Sequence, residues 1–328
     1  MVFTTEVHIP EFPWRIDYST GVVFMGSCFS ENMGQKLLDL KFPVDLNPFG
    51  VLYNPQSIAN SLRFLMENKR FTADDLFFDQ GIWNSFHHHS SFSDVELSVA
   101  IDRINHRMDR AHLFLRNARF LMVTWGTAWV YRHKTTGQIV SNCHKVPAST
   151  FERGRLGVDE IVTLYQSLLT QLHAFNPGLK VVFTVSPIRH WKDGAVENQV
   201  SKSTLILAIN QLQQSTHGKN CAYFPAYELV MDELRDYRYY AADMIHISDV
   251  AVEYIFERFS SALISGESMQ VSKRIEKIRK SMNHRPFKRN TQEYLQFVDR
   301  NIQEIRRLSS SFPTIDFSGE LDFFENKI

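Results

Sequence analysis

The chain has 328 residues, a hydrophobic fraction of 44%, and 36 basic against 36 acidic side chains. The formal charge of zero leaves no electrostatic footprint for a nucleic acid or an anionic membrane. Three cysteines, Cys28, Cys143 and Cys221, are too few for a disulfide framework and fit a reducing compartment. No run reaches the roughly 18 to 20 apolar residues needed to span a bilayer. The opening MVFTTEVHIPEFPW carries acids and prolines without a long apolar stretch, unlike a signal peptide. The expectation is a soluble, cytoplasmic protein with no nucleic-acid or membrane partner.

Residues 1–20 read as an extended lead-in over the domain surface. Gly21 to Gly26 (GVVFMG) is an apolar run closed by a turn residue, the pattern of a strand buried on both faces. Ser27, Cys28 and Ser30 follow, and Met33, Leu37 and Leu38 then recur at helical spacing, with Glu31 in the first turn. KFPVDL is a second short strand closed by Asn47 to Gly50, and Pro55 opens a helix with Ile58, Leu62, Leu65 and Met66 on one face. Residues 70–92 have no clean period and read as part of an insertion around 68–118, in which Asp94 to Asn117 is a long helix. His87, His88 and His89 are expected to be solvated loop residues.

Phe120 to Thr124 is the third strand, ending at Gly126. A hairpin around 129–147 turns at Thr136-Gly137. A helix over 157–175 is stopped by Asn176-Pro177-Gly178. The fourth strand, Lys180 to Val185, precedes a helix at 198–215, a fifth strand at Ala222 to Phe224 and a short helix at Glu228 to Leu234. The loop ADMIHIS leads into a helix at 248–264. Strands alternating with helices five times predict an α/β fold whose parallel sheet is covered on both faces. Residues 268–310 are rich in Lys, Arg, Glu and Gln. They read as two helices broken near His284-Arg285-Pro286, with solvated faces, in a C-terminal extension over 267–328.

In such a sheet the ligand-handling residues sit at the carboxyl ends of strands. Those ends are Gly26-Ser27-Cys28, Asn47 to Gly50, Thr124 to Thr127, Ser186 to His190 and Phe224 to Tyr227. Asp243 and His246, just before the last helix of the alternating region, are placed to share one cleft with them. The carboxylate would fix the imidazole tautomer, and the imidazole would take a proton from Ser27 or Cys28. A nucleophile, a base, an orienting acid and nearby backbone N–H groups are the parts of an acyl-transfer site. The pair Cys143 and His144 and the histidine run lack the second close partner a metal site needs, so no metal and no cofactor are expected.

FMGSCFSENMG resembles the signature of the GSCFA family, and NPFGVLYNP, TWGTAWVY, NCHK, SPIRHWKDG and YELVMDELRDYRYYAADMIHIS match its character in order. The resemblance covers roughly residues 20–260, within a domain spanning 1–266. That family looks like a branch of the SGNH/GDSL-like hydrolase superfamily. The resemblance implies a three-layer α/β/α sandwich with a mostly parallel, five-stranded, flavodoxin-like sheet. It also implies a Ser-His-Asp type site for small-molecule or glycan acyl esters, as an esterase or an acyltransferase.

Carried over residue by residue, Gly26-Ser27-Cys28 stands where the superfamily has Gly-Asp-Ser, which puts Cys28 in the nucleophile position. A shift of one residue would favour Ser27. Asp243 and His246 fit without change. Gly50 matches the glycine whose N–H helps hold the oxyanion. Gly126-Thr127-Ala128 replaces Gly-x-Asn, so the amide donor is missing and Thr127, Asn142 or His190 would substitute. Asn47 lies beside Gly50, and Arg189 or His190 would hold an anionic part of a substrate. The competing readings are a scaffolding or binding protein that kept the fold and lost activity, and a metal-dependent hydrolase using the histidine-rich loop. The oligomeric state is left open.

Overall fold

The apolar runs do form strands, and the turn residues after them carry the candidate site. A computed structural model describes residues 4–215, 217–284 and 291–326. In chain order the described elements begin with β1 (Val22–Gly26), α1 (Cys28–Asp39), β2 (Val44–Leu46) and α2 (Pro55–Glu67). A small hairpin, β3 (Phe77–Asp79) and β4 (Ile82–Asn84), precedes α3 (Leu97–Asn117) and β5 (Phe120–Trp125). Then come β6 (Trp129–His133), β7 (Ile139–Val140), β8 (Phe151–Arg155), α4 (Val158–Phe175), β9 (Lys180–Val185), α5 (Gly194–Gln214) and β10 (Cys221–Tyr223). The chain ends in α6 (Ala226–Glu228), α7 (Asp249–Leu263), α8 (Gly266–Asn283), α9 (Gln292–Ser311) and α10 (Ser318–Glu325).

The main sheet has five parallel strands in the order β10-β9-β5-β1-β2. Chain progression reverses direction between β1 and β5, the doubly wound flavodoxin-like order. A crevice opens beyond the carboxyl ends of the strands at such a reversal. Side chains alternate across the sheet: Val23 and Met25 enter one core with α2, α3, α4 and α5, while Val22 and Phe24 enter the other with α1 and α7. The result is a three-layer α/β/α sandwich.

The C-terminal helices are packed, contrary to the solvated faces their composition suggests. Val271, Ile275 and Ile278 of α8, and Val298, Ile302, Ile305 and Leu308 of α9, recur every three or four residues and are buried in the same core as α1 and α7. Each such aliphatic contributes about 1.5–3 kcal/mol by leaving water, before chain entropy is counted. Phe324 closes the stripe from α10. The expected break between the two helices falls partly on residues outside those described; His284 itself caps α8.

Other details also differ. The hairpin around 129–147 gains a third strand, β8, which pairs antiparallel with β6. The lead-in is partly structural: Ile16 is fully buried and bridges to Ile264. The short helix after β10 is one α-turn followed by a π-turn over Leu229–Glu233.

The histidine run is the largest correction to the sequence reading. His88 is 1% exposed. Its ring stacks on Phe49 at 4.8 Å, and its Nδ1 lies 2.9 Å from the Ser85 hydroxyl. Burial holds His88 well below the usual imidazole range and lowers His87 to about 4. His87 meets Phe64 edge to face at 4.9 Å. Both rings therefore work as neutral core aromatics that join the insertion to the main body. His89 alone stays on the surface side, capping a short turn at Ser91.

Candidate active site

The chain must turn sharply where β1 ends. Gly26 has a φ of 149°, and a Cβ there would lie 2.3 Å from the Thr124 carbonyl oxygen of β5, so no larger residue fits. Asn47, which follows β2, accepts the Gly26 N–H on its side-chain oxygen at 3.0 Å and fixes the turn from the other side.

Ser27 and Cys28 then take different roles. Ser27 is the N-cap of α1, 2% exposed, with its hydroxyl accepting the Phe29 N–H at 3.3 Å. Cys28 is the first residue inside the helix and only partly buried. A first helical residue has no intrahelical acceptor for its N–H. The backbone N–H groups of Cys28 and Phe29 act on the Cys28 sulfur and favour its thiolate, as does Lys202. Burial is the larger influence and, with Glu31, pushes the thiol up. The helix terminus offsets part of this desolvation and does not overcome it.

The ends of β5 and β9, the strands next to β1 and β5 in the sheet, bring further groups to the same end. The Gly126 and Thr127 N–H groups both donate to the Tyr53 carbonyl, at 2.7 and 3.0 Å. The Tyr53 phenol is raised first by burial and then by Cys28, which places the two groups within electrostatic reach. The edge of Tyr53 meets the His190 ring at 5.6 Å between centroids. His190 is held by its N–H on Asn198 Oδ1 at 2.9 Å, and burial lowers its imidazole to about 4. The charges of Lys202, Arg153 and His246 act in the same direction as burial, and Asp193 acts against it. His190 is thus a neutral ring packed against Tyr53 and anchored on Asn198.

Asp243 and His246 are paired as their spacing suggests. His246 Nδ1 lies 2.5 Å from Asp243 Oδ2, and Asp243 Oδ1 accepts the Ile245 and His246 N–H groups at 2.9 Å each. These bonds hold the Asp243 carboxyl down at about 2, the His246 side chain being the first cause. The loop is pinned by an antiparallel bridge between Tyr240 and Ile247 and by Met244 in the left-handed region at φ 58°. Ile247 lines one surface pocket with Asn32 and Gln35 of α1, one to two turns after Cys28. Both side chains of the pair are about half exposed, at 48% and 54%.

The expected oxyanion donors fare differently. The Gly50 N–H is already donated to the Asn47 carbonyl at 2.7 Å. Gly50 is needed for its φ of 79° and because a Cβ would sit 2.2 Å from His89 Cβ. The Thr127 hydroxyl lies 3.1 Å from Ser201 Oγ and accepts the Trp129 N–H at 3.2 Å. Asn142 lies on the hairpin, with its N–H on the Phe86 carbonyl and its Oδ1 accepting the His144 N–H. Arg189 sits over the Trp191 ring at 5.2 Å and beside Tyr227 and Tyr240. Asn47 keeps a buried Nδ2 without a partner among the described residues. Among those residues, no three side chains group as metal ligands.

Lys202 is the group the motif reading missed. It is fully buried on α5, and its Nζ donates at 2.7 Å to the carbonyls of both Gly126 and Ser186. The signal was present: Asn198, Ser201, Lys202, Leu205, Ile209 and Leu212 share one helical face, so this lysine had to point inward.

Fold and site define an α/β protein with a flavodoxin-like sheet and a cysteine-bearing turn at its switch point. The chain belongs to the GSCFA family, whose model matches residues 21–259. A second model, the C-terminal domain of GSCFA domain proteins, matches residues 275–328. No curated protein matches. Among solved structures, the chain is similar to a carbohydrate esterase family 3 protein from Talaromyces cellulolyticus, at 11% identity and a TM-score of 0.37, over 77% of this chain and 98% of that one. It is also similar to the acetyl xylan esterase Est2A from the rumen bacterium Butyrivibrio proteoclasticus, at 12% identity and a TM-score of 0.38, over 81% of this chain and 65% of that one. Among the described residues, no helix is long and apolar enough to cross a membrane.

Proposed function

We propose that this protein is an SGNH-like esterase or acyltransferase that acts on small-molecule or glycan acyl esters through an acyl-enzyme on Cys28. The observation that carries the reading is the division of labour in the β1 turn. Ser27 is buried and occupied as a helix cap, while Cys28 stands at the positive end of α1 in the switch-point crevice. His246 takes the thiol proton, and Asp243 holds its Nδ1–H and stabilises the imidazolium. The thiolate attacks the ester carbonyl, the Cys28 N–H donates to the oxyanion, and the alkoxide leaves with the proton from His246. Water or another acceptor then takes the acyl group, with His246 acting as base again. Asn47 Nδ2 is buried and unpartnered among the described residues, and this reading assigns it to the oxyanion in place of Gly50 and Thr127.

The test is hydrolysis of a short-chain nitrophenyl ester, with and without chelator and iodoacetamide. The expected result is chelator-resistant, iodoacetamide-sensitive turnover that is lost in Cys28→Ala and retained in Ser27→Ala. Turnover that survives Cys28→Ala rejects the assignment. Inactivity of the folded wild type across a broad ester panel supports a binding role on the same fold.

A further inference from the structure

The ends of β9 and β10 carry a second concavity that no step above uses. It has a volume of about 500 Å³, and its walls come from separate segments. Arg189 follows β9, Tyr227 follows β10, and Asp232, Arg235, Tyr237 and Tyr240 lie on the stretch that runs on toward His246. Such strand ends are where an open α/β sheet keeps its ligands. Tyr240 pairs with Ile247 in the antiparallel bridge, and the Ala241 N–H donates to the His246 carbonyl at 2.7 Å. One short backbone ladder therefore joins the pocket wall to His246.

The pocket combines exposed rings with unused donors and acceptors. Tyr237 is 69% exposed, and its ring lies 5.6 Å from that of Tyr240. Arg189 lies over the Trp191 ring, itself 45% exposed. Exposed rings gathered at a concavity mark a ligand groove. Among the described residues, the guanidinium groups of Arg189 and Arg235 make no hydrogen bond or ion pair, and neither does the Asp232 carboxylate. Asp236, the other acid of the pocket, is paired with Arg238 at 3.1 Å. The Tyr227 hydroxyl donates to Gln199 Oε1 at 2.7 Å, which leaves the phenol oxygen free to accept and the Gln199 amide free to donate.

This set discriminates among ligands. A phosphate would suit the arginines and be opposed by Asp232 and Asp236. A purely apolar ligand would cover Arg189, Arg235 and Asp232 without pairing them. A sugar hydroxyl both donates and accepts, so it matches free donors and free acceptors together. The C–H face of a pyranose packs on an exposed aromatic ring. We propose that this pocket is a glycan subsite, in which Tyr237 and Tyr240 hold the face of a pyranose while Arg189, Arg235 and Asp232 bind its hydroxyls. Its place beside the His246 loop makes a glycan the carrier of the acyl group. That last step rests on the esterase reading; sugar binding itself does not.

The experiment titrates wild type and Cys28→Ala with deacylated oligosaccharides of xylose, glucose, mannose and galactose, and with uronate-bearing ones, followed by saturation-transfer NMR. At least one should bind both proteins. Tyr237→Ala and Arg235→Ala, at exposed positions where folding should survive, should each weaken that binding about tenfold. No binding across the panel, or binding weakened by neither variant, overturns the proposal. Inorganic phosphate that binds where no oligosaccharide does marks an anion site and overturns it too. With the acetylated form of the bound oligosaccharide, the ratio of its kcat/KM to that of nitrophenyl acetate should fall about tenfold in Tyr237→Ala, through KM. An unmoved ratio overturns the glycan as acyl carrier. Sugar binding without turnover of any ester would reject the esterase reading and leave the subsite standing, and ester turnover without sugar binding would do the reverse.

Discussion

The Gly26–Cys28 turn and the Asp243–His246 loop carry the two halves of the proposed chemistry, and they are built in opposite ways. The turn is locked by packing: Gly26 abuts Thr124, Ser27 is buried, and Asn47 and Lys202 brace the crevice from either side. The loop is locked by its own short-range hydrogen bonds, and both of its side chains are about half in water. Cys28 is therefore held in place at the cost of desolvation, which raises its thiol. His246 stays about half in water, with its Nδ1 against the Asp243 carboxylate. Packing rigidity and solvent exposure are thus divided between two segments far apart in sequence.

The sharpest way to separate the two halves is to remove the base. His246→Ala should lower ester turnover about 10²- to 10⁴-fold, the usual worth of a general base. It should leave the alkylation rate of Cys28 within about twofold at neutral pH, because the charges on the sulfur come from Glu31 and Lys202. A large fall in both measurements would mean that the halves are not separable.

A second perturbation acts on the packed side through pH. The His87 imidazole sits at about 4 in the fold and near 6.5 when unfolded. Its folded value is depressed, so the unfolded chain binds the extra proton first. The contribution of neutral His87 is complete above pH 6.5 and is lost as pH falls toward 4, to the extent of about 3 kcal/mol. Urea unfolding across this range should show the loss in wild type and a flatter profile in His87→Phe. Equal slopes in the two proteins would place the acid sensitivity elsewhere.

The smallest effect distinguishes the adjacent candidates of the turn. Ser27→Ala removes one helix cap and should cost about 1 kcal/mol of stability, read from urea denaturation, with ester turnover largely kept.

How much of this was legible depended on whether one residue pattern had one physical meaning. The runs Val22 to Gly26, Phe120 to Trp125 and Lys180 to Val185 could bury both faces only as central strands, and Pro55 could only open its helix. Asp243 and His246 were visible because three residues of loop suffice to bring an imidazole onto a carboxylate. His87 and His88 were misread because adjacent polar residues suggest solvent, whereas Phe49, Phe64 and Phe71 offer them aromatic partners from distant segments. The apolar stripe of α8 and α9 was diluted by lysines and arginines, so composition hid what a period of three to four residues retains. The strand β8, FERGR, has too few apolar residues to announce itself and exists by pairing with β6. The Gly50 N–H was assigned from motif register alone, which cannot see that Asn47 already accepts it.

The acyl-enzyme itself is the object to measure. His246→Ala, incubated with an activated acyl ester at pH high enough to ionise the thiol and then quenched in acid, should carry one acyl group on the tryptic peptide containing Ser27 and Cys28. Fragmentation should place it on the Cys28 sulfur, and hydroxylamine should remove it. An adduct located on Ser27, or turnover by wild type with no adduct on this peptide under rapid quench, would contradict Cys28 as the nucleophile.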